Sequence, residues 1–141
     1  MRALEWAAVA LAALPLASCG DSSAEDKSAP KCVQPLPESC APLYPPTFDN
    51  VFQNTLSKTC ASGGGSCHGP SGGNGGLTFA DADTSYSLLT SSRVVAGDPA
   101  CSKLVVRLES AGESWSMPPG AQLGEGERCA VERWIYAGAQ R

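Results

Sequence analysis

The chain holds one histidine, and it stands directly after a cysteine, as Cys67-His68, with Cys60 six residues upstream. Two thiols and an adjacent imidazole support two kinds of chemistry. The first is covalent haem attachment, in which two thiols meet the two vinyl groups and the histidine after the second thiol reaches the iron. Such a site usually has two residues between its cysteines. Here the insert is Ala61-Ser62-Gly63-Gly64-Gly65-Ser66, free of bulky side chains, so it can bulge outward and still bring both sulfurs to one macrocycle. The second is a disulfide, Cys60–Cys67, closing a short glycine loop beside a surface histidine. The motif alone leaves both open.

Cys60 and Cys67 belong to a set of seven cysteines in 141 residues, and the N-terminus says where they function. Arg2, an apolar run from Trp6 to Leu16 and a small-residue end make residues 1–18 a secretory signal peptide, too short for a spanning helix. Leu16-Ala17-Ser18-Cys19 resembles the bacterial lipobox, which makes Cys19 the lipidated first residue of the mature chain. The alternative is an ordinary signal peptide that leaves Cys19 free or paired. In either case the chain works outside the cytoplasm, where the remaining six cysteines tend to oxidise. Removing Arg2 and Glu5 together keeps the net charge at −4, which gives no reason to bind nucleic acid. Membrane contact is expected through lipid alone.

Residues 19–46 read as a tether and an arm. Up to Lys31 the segment is polar and flexible in composition. From Cys32 to Pro46 it carries five prolines in fifteen residues, which excludes helix and central strand. The expected staple is Cys32–Cys40, with Leu43 and Tyr44 lying on the domain. Cys101 and Cys129 have no neighbouring His, Asp or Glu arranged as a chelate, so they are expected to bridge two helices, contributing roughly 3 kcal/mol. A Cys/His zinc site is disfavoured by export and the single histidine.

The positioning elements lie in residues 47–141. Thr47 caps a helix expected over 48–58, with Phe48, Val51, Phe52 and Leu56 on one face, which delivers the chain to Cys60. A five-glycine run follows His68. Next come a short helix capped by Asp83 or Thr84, with Tyr86, Leu88 and Leu89 as contacts, and a helix with Asp98 as N-cap and Pro99 first, ending near Glu109. Met117-Pro118-Pro119-Gly120 must be loop. A last helix carries Val131, Trp134 and Ile135 on one face and stops at Gly138. Trp115, Trp134 and Tyr136 read as packing residues; Asp81, Asp83, Glu125 and Glu127 read as solvated carboxylates at helix starts. No paired acid and base is set for a reaction. The fold class is all-α: about four short helices, long Gly/Pro loops and disulfide staples, in a core small enough to need them.

Taken in order, FDNVFQNTLSKTC, CHGP, GGL, VVAGDP, LVVRL, MPPG and WIYAGA resemble the cytochrome c-type lipoprotein domains of planctomycetes and myxobacteria. The resemblance covers residues 47–139. It implies a small class I cytochrome c fold whose first and last helices cross beside one covalent haem c, held by Cys60 and Cys67. It implies His68 as proximal and Met117 as distal iron ligand, a pairing that favours ferrous iron and raises the potential. The expected protein is thus a lipid-anchored, periplasm-facing electron carrier and not an enzyme, with a redox protein as its partner. Gly20 after Cys19 lacks the aspartate of inner-membrane retention, which points to the outer membrane. The alternative is a haemless relative with a Cys60–Cys67 bridge, serving as an envelope binding or structural module.

Overall fold

The computed structural model of the chain describes residues 28–63 and 66–141; the expected signal peptide, the expected lipidation site Cys19 and most of the expected tether lie outside them. The described residues form helices and loops, with no strand beyond an isolated bridge between Val95 and Asp98. Helix α1 is Phe48–Val51 and continues directly as a π-helix, Phe52–Cys60. It is followed by α2 (Ala82–Ser92), α3 (Lys103–Glu109) and α4 (Glu125–Tyr136). The domain is all-α and disulfide-stapled, as its composition requires.

Helix α1 meets α4 through Phe48, whose ring lies 5.3 Å from that of Trp134 and 5.0 Å edge-on from Tyr86 of α2. Leu56, Leu89, Val105, Val131 and Ile135 fill the core around this aromatic contact. Thr47 caps α1 as expected, accepting from the Asn50 N–H. The expected helix over 48–58 reaches Cys60 in wider winding: bonds such as Ala61 N–H to the Leu56 carbonyl span five residues. The wider turn buries Thr55 in place of Phe52, and the Tyr44 hydroxyl, 2.5 Å away, satisfies its Oγ1.

Two helix starts differ from expectation. Asp81, not Asp83 or Thr84, caps α2, its Oδ1 accepting from the Thr84 N–H at 2.8 Å. Asp98-Pro99 opens a single turn in which Asp98 accepts from the Cys101 N–H, and α3 starts only at Lys103. The cause is Ser102, which is buried and ties the turn back to Val95 and Asp98. Helix α4 ends as expected, with Gly138 at φ +93°.

The disulfide pairing is the main correction. Cys32 pairs with Cys101 and Cys40 with Cys129, not Cys32 with Cys40 and Cys101 with Cys129. Extended proline-rich chain rises about 3 Å per residue, so the stretch from Cys32 to Pro37 alone spans roughly 15 Å. Bridged Cα atoms need to come within about 7 Å. Extended to Pro37 and then turned by a bond from Cys40 N–H to the Pro37 carbonyl, the arm runs antiparallel along α4 instead. Leu36 N–H donates to Glu132, Arg133 to the Glu38 carbonyl, and Leu43 N–H to the Gly126 carbonyl. Gly126 permits this approach, because a Cβ there would sit 3.1 Å from that of Leu43. Tyr44 packs on the domain as expected, whereas Leu43 docks only its backbone and leaves its side chain exposed.

Candidate functional site

The π-helix ends at Cys60, and the chain turns through the glycine insert to Cys67 and His68. His68 N–H donates to the Cys60 carbonyl at 3.1 Å, so the loop closes on itself at the residue where the helix stops. A Cβ at Gly63 would collide with Cys67 Sγ, which makes that position in the insert one of close approach and not simply of flexibility. Cys60 and Cys67 are both half-buried and unbonded, while the other four cysteines among the described residues form the two bridges. Burial pushes the Cys60 thiol up to about 12, with the nearby charges of Glu127 and Cys67 adding to the effect. Cys60 is therefore a neutral thiol, slow in disulfide exchange.

His68 is held by its neighbours. Its Nδ1 lies 3.0 Å from the Leu77 carbonyl. A carbonyl only accepts, so Nδ1 carries a proton, and in the neutral ring Nε2 is then the nitrogen with the free lone pair. Orienting a histidine through a backbone carbonyl is the usual way a protein readies an imidazole for a metal. Phe79 stacks edge-on to the ring at 5.5 Å, and its N–H donates to the His68 carbonyl at 2.6 Å.

Cys60, His68 and Met117 line one cavity of about 210 Å³. Its walls include Leu77, Phe79, Leu89, Leu104 and Leu108, and three cations, Arg93, Lys103 and Arg107, border it. Cys67 is not among the lining residues. Met117 is positioned by α3: its N–H donates to the Arg107 carbonyl, and the Arg107 guanidinium donates to the Trp115 carbonyl, both at 2.9 Å. Two bonds to one residue thus present the methionine loop. Among the described residues none of the three cations pairs with a carboxylate.

The structure thus brings together three of the four residues that the sequence singled out and places Cys67 beside them. Sequence reasoning missed the cations. Arg107 was within reach, since Leu104, Arg107 and Leu108 share one helical face at spacings of three and four. Arg93 follows the end of α2 and is directed by its bonds to the Gly75 and Leu88 carbonyls, which no local pattern foretells. Among the described residues no three His, Cys, Asp or Glu side chains gather as a metal chelate.

The donor set suits a haem: an imidazole nitrogen, a thioether sulfur and the Cys60 thiol on one largely apolar cavity, the unbonded Cys67 thiol next to His68, and three cations at the border. The volume falls short of the roughly 300–1,000 Å³ typical of sites that engulf a small molecule. A haem held here would be only partly enclosed.

Fold and site together have the build of a cytochrome-type domain. Residues 65–120 match the family described as Planctomycete cytochrome C, which supports a planctomycete-type cytochrome c domain in this chain. The matched stretch contains Cys67, His68, the three cations and Met117, and leaves out Cys60, α1 and α4. No curated protein and no solved structure matches the chain significantly.

Proposed function

We propose that the protein is a monohaem c-type cytochrome that transfers single electrons at the cell envelope. In this reading it is anchored through lipid on Cys19, faces the periplasm from the outer membrane, and exchanges electrons with a redox protein. The observation that carries the reading is the His68 clamp, in which Nδ1 is tied to the Leu77 carbonyl and Met117 lines the same cavity. Cys60 and Cys67 would hold the haem as thioethers, each S–H adding across a vinyl double bond. His68 Nε2 and Met117 Sδ would bind the iron, and Arg93, Lys103 and Arg107 would offset the acidic groups of the haem. When bound, the haem supplies the one-electron couple, and a neutral thioether ligand favours its ferrous form. The chain's part is to orient both ligands, exclude water with Leu77, Phe79, Leu89, Leu104 and Leu108, and leave one edge accessible.

The test is export in a host with a cytochrome c maturation system, followed by a visible spectrum and a haem stain after denaturation. A Soret band and a stained band are expected, and a thiol count should find four cysteines in disulfides. Folded, exported protein with neither band overturns the proposal, and six cysteines in disulfides would then establish the haemless bridged form. Met117→Ala should remove the weak long-wavelength band of sulfur-ligated ferric haem. An unchanged band assigns the sixth position to another group.

A further inference from the structure

Away from the cavity, where the arm crosses α3 and α4, lies a charged cluster that the proposed electron transfer does not use. Glu132 on α4 is fully buried. It faces Glu109 at the end of α3, Arg128 one turn back on α4, and the Leu36 N–H of the arm. Arg128 forms an ion pair with Glu109 Oε2, and Glu132 Oε2 accepts from Leu36 N–H at 2.7 Å. One cation therefore serves two carboxyl groups. The two remaining oxygens, Glu109 Oε1 and Glu132 Oε1, are buried without a donor, and Arg128 Nε–H is buried without an acceptor, so one N–H at most is left for the two oxygens.

Two acceptors without a donor cannot satisfy each other while both groups are ionised. A single proton on either carboxyl group turns one of them into a donor and removes the second negative charge, which Arg128 alone does not balance. The remaining charged groups nearby do not supply that proton. Arg133 donates to the Glu38 carbonyl, and the Tyr136 phenol, raised by burial and further by Glu38, Glu132 and Asp98, stays neutral. We infer that Glu109 and Glu132 form a proton-binding site in which one shared proton, held between α3 and α4, sets how firmly the arm docks at Leu36. Loss of the proton leaves the carboxylate of Glu109 facing that of Glu132, the group to which Leu36 N–H is bonded. The two disulfides keep the arm attached, so the response is a local loosening between fixed ends.

The site can be read without any cofactor, so its failure is separate from failure of the haem proposal. In the exported, disulfide-bonded protein, the Leu36 amide proton and the Glu132 side-chain carboxyl carbon are followed by NMR from pH 4 to 10. Burial and Glu109 push the Glu132 carboxyl up to about 8, against the opposing pull of Leu36 N–H and Arg128, and both signals are expected to titrate together near that value. Glu132→Gln should abolish the transition at Leu36. Glu109→Gln, which keeps Glu132 but removes its like-charged neighbour, should move the midpoint down by at least one pH unit. A Glu132 midpoint near 4.5 in the unmodified protein overturns the inference, as does a midpoint unaffected by Glu109→Gln. The wild-type titration stands even if one variant fails to fold.

Discussion

The proline arm and the glycine loop between Cys60 and Leu77 are both irregular, and both carry two cysteines. The structure treats them in opposite ways. The arm is extended up to a turn at Pro37–Cys40 and is joined to the helices at Cys101 and Cys129, with its backbone N–H groups also bonded to the Ala100 and Gly126 carbonyls and the Glu132 carboxyl group. The loop keeps its thiols unbonded and is fixed by hydrogen bonds around one histidine. Proline keeps Cys32–Pro37 extended, which holds Cys32 away from Cys40, so both cysteines reach outward. Glycine allows a loop to fold over its own cysteine without bonding it. The first region supplies cohesion and the second holds groups in reserve.

The contrast predicts unequal costs. Cys40→Ala with Cys129→Ala opens a bridge whose loop, shortened by the intact Cys32–Cys101 bridge, is far smaller than its 89-residue separation, and should lower unfolding free energy by about 4 kcal/mol, measured with denaturant. Cys60→Ala with Cys67→Ala should change the haem-free protein far less while abolishing covalent haem; equal losses would end the distinction. Phe79→Ala removes a buried ring stacked on His68 and should cost about 3 kcal/mol. If the loop depends on that ring, haem loading falls as well. The pH response comes next. Glu132 holds a proton in the native state that the unfolded chain releases, so stability should fall as pH rises from about 4.5 to about 8 and level off above. Melting temperatures across that window check the sign, and Glu132→Gln should flatten the curve. The smallest effect is expected where the arm ends and α1 begins: Thr47→Ala removes an N-cap oxygen and should cost about 1 kcal/mol, seen as a small shift in the denaturant midpoint.

Much of this was legible in the chain. Phe48, Leu89, Trp134 and Ile135 announced the core through helical spacing, and Thr47 and Gly138 marked two helix ends. Cys60, His68 and Met117, far apart in sequence, do line one cavity. Disulfide pairing was not legible, because it depends on where a rigid arm lies and not on which cysteines are near in sequence. The start of α3 was misread because Asp98-Pro99 is a good opening locally, while buried Ser102 holds the turn through Val95. The π-winding before Cys60 has no marker in Phe52–Cys60. Nothing in the sequence of α4 sets Glu132 apart; its burial comes from the arm that lies over it.

The two bridges interlock: Cys40 lies between Cys32 and Cys101, and Cys101 lies between Cys40 and Cys129. Any single protease cut between Cys40 and Cys101, including one in the exposed glycine loop, leaves both bridges joining the two fragments. A molecule nicked there migrates as one species until reductant is added and then as two, and Cys60, Cys67 and His68 stay on the same fragment whenever the cut falls after His68.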